Sequence, residues 1–72
     1  MKKTIVVRQI ENRVYIRQVY LNELKPLLEL FHIDLHETRE GKHTGIPRHY
    51  ISALDLFRFI ESTKDDYIIK II

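Results

Sequence analysis

Residues 3–20, KTIVVRQIENRVYIRQVY, decide the fold. Two runs rich in β-branched and aromatic residues, 3–10 and 13–20, flank Glu11-Asn12, which reads as an antiparallel hairpin with a two-residue turn. Setting Ile10 opposite Arg13 places Gln9 across from Val14, Arg8 from Tyr15, Val7 from Ile16, Val6 from Arg17 and Ile5 from Gln18. One face then carries Ile5, Val7, Val14, Ile16 and Tyr20, and the other carries Arg8, Arg13, Tyr15 and Arg17. A slip of one residue would mix the two sets, so the clean separation argues for this register.

Downstream, Asn22 reads as the N-cap of a helix running to about residue 32. Leu24, Leu27, Leu28 and Phe31 recur at helical spacing, and Pro26 falls in the first turn, where proline is tolerated. Ile33 and Leu35, then Ile46, Tyr50 and Ile51, flank a polar tip that holds both glycines. This predicts two short strands around a loop at 38–45, with a short second helix as the other option. Ser52 to Asp55 resembles a capping box. The helix it opens would bury Ala53, Leu56, Phe57 and Ile60 and end before Ser62. The closing YIIKII, residues 67–72, reads as a strand that is central in the sheet or paired with another chain, because an exposed apolar edge invites aggregation. The expected fold class is α+β: one domain over residues 1–72, a small single-layer sheet with two packed helices, in the order β-β-α-(β-β)-α-β.

With 44% apolar and 31% charged residues among 72, the composition is that of an ordinary globular chain. No apolar run approaches the ~20 residues of a membrane span. Met1-Lys2-Lys3 looks like the start of a signal peptide, but Arg8, Glu11 and Arg13 interrupt any apolar stretch after it. The chain has no cysteine, which excludes disulfides and thiolate metal sites and makes a cytoplasmic address the default. A chain this small without staples has a small core and stands to gain stability from a partner.

Catalytic motifs are missing from the sequence. There is no cysteine nucleophile, no Gly-rich phosphate loop and no H-E-x-x-H, and Ser52 and Ser62 fit a cap and a turn. The expectation is therefore a protein that is not an enzyme, with no catalytic residue and no cofactor. His32, His36, His43 and His49 are concentrated in one stretch, and the first two are four apart, a spacing that suits two imidazole ligands on a helix. Nothing in the sequence demands a third ligand from His43, His49, Asp34 or Glu37. The four read as polar loop histidines that add positive charge in mild acid, and no metal is expected.

Charge is more informative. The first twenty residues carry Lys2, Lys3, Arg8, Arg13 and Arg17 against Glu11, a local +4 within a chain of net +2. In the hairpin register Arg8, Arg13 and Arg17 share a face with Tyr15. Like charges so close repel unless an anion or an acidic partner relieves them. Guanidinium forks beside an aromatic ring suit phosphates and stacked bases. A second basic group, Arg39, Lys42, His43, Arg48 and His49, decorates the following loop, offset in part by Glu37 and Glu40.

Residues 46–61, IPRHYISALDLFRFIE, resemble the closing segment of the small winged-helix domains of excisionases and MerR-type regulators. Arg48, Tyr50, Ile51, Ser52, Asp55, Leu56, Phe59 and Ile60 occupy the positions of the wing strand, cap and final helix, and LNELKPLLELF (21–31) resembles the first helix. The resemblance implies a winged-helix-like arrangement, a DNA-facing wing at Arg39, Lys42 and Arg48, and the role of an accessory regulator. The N-terminal hairpin lies outside that pattern, and IDLHETREGKH lacks the periodicity of a recognition helix, so no recognition-helix contact is carried over.

The expected function is thus a small binding module that contacts nucleic acid through Arg8, Arg13, Tyr15, Arg17, Arg39, Lys42 and Arg48. The alternative is a protein-interaction module. In it the C-terminal strand, through Tyr67, Ile69 and Ile71, forms a homodimer or joins a target, and the arginines meet an acidic partner. Neither reading involves a membrane.

Overall fold

A computed structural model describes residues 2–38 and 47–72. The elements are β1 (Lys3–Ile10), β2 (Arg13–Ile16), α1 (Gln18–Leu30), β3 (His36–Glu37), β4 (His49–Ser52), a 3-10 turn at Ala53–Asp55, α2 (Leu56–Thr63) and β5 (Tyr67–Ile71). The five strands form one mixed sheet in the order β3-β4-β2-β1-β5. This is the α+β class, and the element order is the one expected from the sequence. Residues 33–37 and 47–52 supply two short strands rather than a second helix. The tip between them, with Gly41 and Gly45, lies outside the described residues. Among the described residues, no helix is long and apolar enough to cross a membrane.

The hairpin register holds at Arg8↔Tyr15, Gln9↔Val14 and Ile10↔Arg13. Glu11 has φ 53 and Asn12 is not in the left-handed region. A positive φ at the first central residue is a conformation that favours glycine there. The second strand is shorter than expected. Arg17 is extended and caps α1, so the ladder ends at Arg8↔Tyr15 and the pairs Val7/Ile16, Val6/Arg17 and Ile5/Gln18 do not form. Instead β1 pairs in parallel with β5 along Lys3↔Tyr67 to Val7↔Ile71.

The early helix start moves Asn22 from the cap into the helix and puts Pro26 in its interior. The physical reason is the apolar spacing. Starting at Gln18 brings Leu21 onto the stripe with Leu24 and Leu28, and all three are buried. The helix closes with a Schellman motif: Ile33 N–H donates to Leu28 C=O and His32 N–H to Glu29 C=O. His32 occupies the left-handed position at φ 55, where glycine is usual.

Both helices cover one face of the sheet. Ile5, Val7, Val14, Ile16 and Ile51 from the strands meet Leu21, Leu24, Leu28, Ile33 and Phe59 in a single core. The expected face of the second helix is corrected here: Phe57 is 81% exposed and Phe59 is fully buried. Ser52 Oγ accepts from Leu54 N–H at 3.2 Å, but the turn it opens is 3-10. The tighter winding of that turn shifts the phase of α2, and the stripe becomes Leu56, Phe59, Ile60 and Thr63. The buried Thr63 hydroxyl is satisfied by Phe59 C=O at 3.0 Å. Arg58 donates to Phe31 C=O and so ties α2 to the C-terminal end of α1.

A second correction concerns β5. Among the described residues it is an edge strand of this chain's sheet, which removes the central placement and leaves pairing with another chain as the other expectation.

Candidate nucleic-acid interface

Partners in a strand ladder point to the same side, so the registers assign the face that the helices leave open. Arg8 of β1, Tyr15 of β2, Tyr50 of β4 and His36 of β3 form one row across four strands. Arg13 stands two residues before Tyr15, opposite Ser52. On β5, Lys70 lies beside Val6 and Ile68 beside Thr4. Extended backbone at Arg17 carries the alternation of β2 one step further.

The centre of this face is aromatic. The Tyr15 and Tyr50 rings are 5.4 Å apart, and His36 stacks on Tyr50 at 5.3 Å with the planes 26° apart. The Arg13 guanidinium sits 4.4 Å from the Tyr50 ring centroid, and its Nη1 donates to the Tyr15 hydroxyl at 3.3 Å. A guanidinium over an aromatic face is a favourable cation–π contact. These neighbours cover Tyr15, which keeps only 7% of its surface exposed. The half-buried Tyr50 and the exposed His36 stacked on it are therefore the rings nearer to solvent, and not Tyr15 as the hairpin alone suggests. Sequence reasoning misses Tyr50 because its place opposite Tyr15 depends on β4 pairing with β2, which no local pattern fixes. The one available signal is its spacing from Ser52 and the buried Ile51.

The margins of the face are cationic. Arg8, Arg13, Arg17 and Lys70 project from it, and among the described residues no strand position on this side holds a carboxylate. Among the described residues, neither Arg8 nor Lys70 nor Arg17 has an ion-pair partner. The cations elsewhere are mostly matched: Lys3 with Glu23 at 2.7 Å, Arg58 with Asp55 at 3.7 Å and Lys64 with Glu61 at 2.9 Å. Arg48 lies 3.6 Å from Glu37, which offsets its charge, and Arg39 and Lys42 lie outside the described residues.

Among the described residues the histidines do not converge, and His43 lies outside them. His32 ends α1, His36 stacks on Tyr50, and His49 Nε2 lies 4.0 Å from Glu37. Among the described residues, no three His, Asp or Glu side chains are grouped to hold a metal ion. An open hollow of about 360 Å³ lies on the helix side, lined by Lys25, Leu28, Glu29, Ile33, Asp34 and Leu35. None of its lining residues belongs to the aromatic row. Comparison of the chain with protein-family models, with curated proteins and with solved structures returned no match.

Proposed function

We propose that this chain is a non-catalytic module that binds single-stranded nucleic acid on the open face of its sheet. The observation that carries the reading is the composition of that face: a central Tyr50–His36 stack bordered by Arg8, Arg13, Arg17 and Lys70, with no outward carboxylate on any strand among the described residues. Such a face offers phosphates their counterions and bases a ring to stack on, which are the two terms that dominate single-strand binding. A flat sheet also suits splayed bases better than a duplex groove, which admits a helix or a narrow two-stranded ribbon. In the proposed role Arg8, Arg17 and Lys70 contact phosphates, and Arg13 holds Tyr50 in place while adding charge.

The strand–cap–helix order of β4, the 3-10 turn and α2 is also the order that the winged-helix resemblance implies. In that setting Arg48 would add backbone contacts, and the resemblance implies the same role for Arg39 and Lys42. A cytoplasmic accessory regulator fits a cysteine-free chain of this size.

Fluorescence anisotropy with labelled single-stranded and duplex oligonucleotides at two salt concentrations tests the proposal. Single strands should bind more tightly, with affinity falling as salt rises. Arg8→Ala combined with Arg17→Ala should lower the salt slope by about 1.4, from ~0.7 per phosphate contact. Tyr50→Leu should weaken binding by about 1–3 kcal/mol, the worth of one stacked base. Binding that ignores all three residues would overturn the proposal. Capture of an acidic protein surface without any oligonucleotide binding would move the arginines to the protein-interaction reading.

A further inference from the structure

The two edges of the sheet are unequal. One ends in β3, of which two residues are described, and the other is the five-residue β5, rich in isoleucine. Backbone bonds show which groups of β5 are already used. Lys3 N–H donates to Asp66 C=O, Ile72 N–H donates to Val7 C=O, and Gln9 N–H donates to Ile72 C=O. In a parallel ladder alternate residues bond to the neighbouring strand. The even-numbered residues of β5 therefore face β1, and Tyr67, Ile69 and Ile71 direct both their N–H and C=O groups outward. Among the described residues, no strand pairs with them.

We infer that β5 pairs antiparallel with β5 of a second copy of this chain, about a two-fold axis at Ile69. This surface is distinct from the open aromatic face and does not depend on what that face binds.

Three features of the edge select a second copy as its occupant. First, the outward set is symmetric about Ile69. Ile69 meets Ile69 of the copy, Tyr67 meets Ile71, and each of these pairs exchanges both its hydrogen bonds. Second, the single charge within β5 fits only some registers. About Ile69, Lys70 stands opposite the partner copy's Ile68, whereas a shift of the axis to Lys70 would set two ammonium groups face to face. Like charges directly opposite are destabilising. Third, isologous pairing closes. Among the described residues, the free edges of the resulting sheet are the two β3 strands, and pairing through β5 about a two-fold axis uses up both β5 edges, so it stops at two copies. The pairing also covers Ile68, 52% exposed, and Ile71, 40% exposed.

An axis normal to the sheet keeps the faces aligned. The open faces of the two copies then join into one surface, with Lys70 and Arg8 of each copy on it.

Sedimentation velocity on the full chain without nucleic acid, from micromolar to millimolar concentration, tests this inference. The expected result is a concentration-dependent rise to twice the chain mass. Ile71→Pro removes an outward N–H while sparing every bond to β1, and it should abolish the dimer. Ile68→Lys sets a second ammonium opposite Lys70 twice per dimer, and Ile68→Glu sets a carboxylate there. The first should raise the dimer dissociation constant and the second lower it, each by about 2- to 30-fold. Circular dichroism on each variant verifies the fold. A monomer at every concentration would overturn the inference. So would a dimer indifferent to Ile71→Pro, or one that responds alike to both changes at Ile68.

Discussion

The two faces of this sheet are built from the same strands and treat charge in opposite ways. On the helix-covered side, Ile5, Val7, Val14 and Ile16 are buried, and the charged groups at the rim are paired: Lys3 with Glu23, which also accepts from the Tyr67 hydroxyl at 3.1 Å. On the open side, among the described residues, Arg8 and Arg17 stand without acids and the one buried residue, Tyr15, is shielded by its own neighbours. The first arrangement stabilises a small domain. The second costs it some repulsion and suits a ligand that brings negative charge. Strand alternation alone generates both, because each residue of β1 or β2 on one face fixes the next on the other.

The sharpest way to break the contrast is within α2, where two phenylalanines two positions apart have opposite surroundings. Phe59→Ala removes a fully buried ring and should cost about 3–5 kcal/mol. In a domain this small, that is enough to unfold a large part of the population. Phe57→Ala removes a ring that is 81% exposed and should change stability by less than about 0.5 kcal/mol. Urea titrations of the two variants check this, and equal losses would mean that Phe57 has a burial partner.

This pair also shows what the sequence leaves open. Leu56, Phe57 and Ile60 make as good a helical stripe as Leu56, Phe59 and Ile60. The choice depends on whether Ala53–Asp55 winds as 3-10 or α, which Ser52 as a cap does not settle. Likewise Tyr20 continues the period-two pattern of β2 and begins the period-3.6 pattern of α1, and the helix wins because it also buries Leu21. The hairpin register is legible because hydrophobic alternation and turn length agree over Val14–Arg8. The basic half of the candidate site comes directly from it. The aromatic half does not, since the contact of Tyr50 with Tyr15, Arg13 and His36 arises from the pairing of β4 with β2 and β3, which no local pattern sets.

A smaller effect tests the backbone that holds both faces in register. Glu11 at φ 53 and His32 at φ 55 occupy left-handed positions that disfavour a Cβ. Glu11→Gly and His32→Gly should each raise stability by about 0.5–1 kcal/mol, after the greater flexibility of glycine in the unfolded chain is set against the relief. The two sites are in separate turns, so their effects should add. Thermal melts of the single and double variants check both the sign and the sum, and a loss at either position would show that its side chain makes a compensating contact.

The finest distinction between the faces is in their response to pH. Hydrogen bonds from Lys3 and then Tyr67 hold the Glu23 carboxyl below its usual range. A carboxyl lowered by folding contributes stability above its unfolded value, and that contribution is lost as pH falls through the folded one. Lys3 is raised, chiefly by its bond to Glu23, and Tyr67 is raised first by burial and then by Glu23. Groups raised by folding contribute below their unfolded values and lose that contribution as pH rises through the folded ones. The melting temperature should therefore fall on both the acid and the alkaline side, modestly, since the pair is exposed. Glu23→Gln should flatten the acid limb and weaken the alkaline one, leaving the part of the Tyr67 shift that burial causes. Arg8→Ala combined with Arg17→Ala removes no paired acid and should leave both limbs in shape. If the double arginine variant flattened the acid limb as much as Glu23→Gln, the open face would contain a paired carboxylate after all, and its fitness for an anionic ligand would be lost.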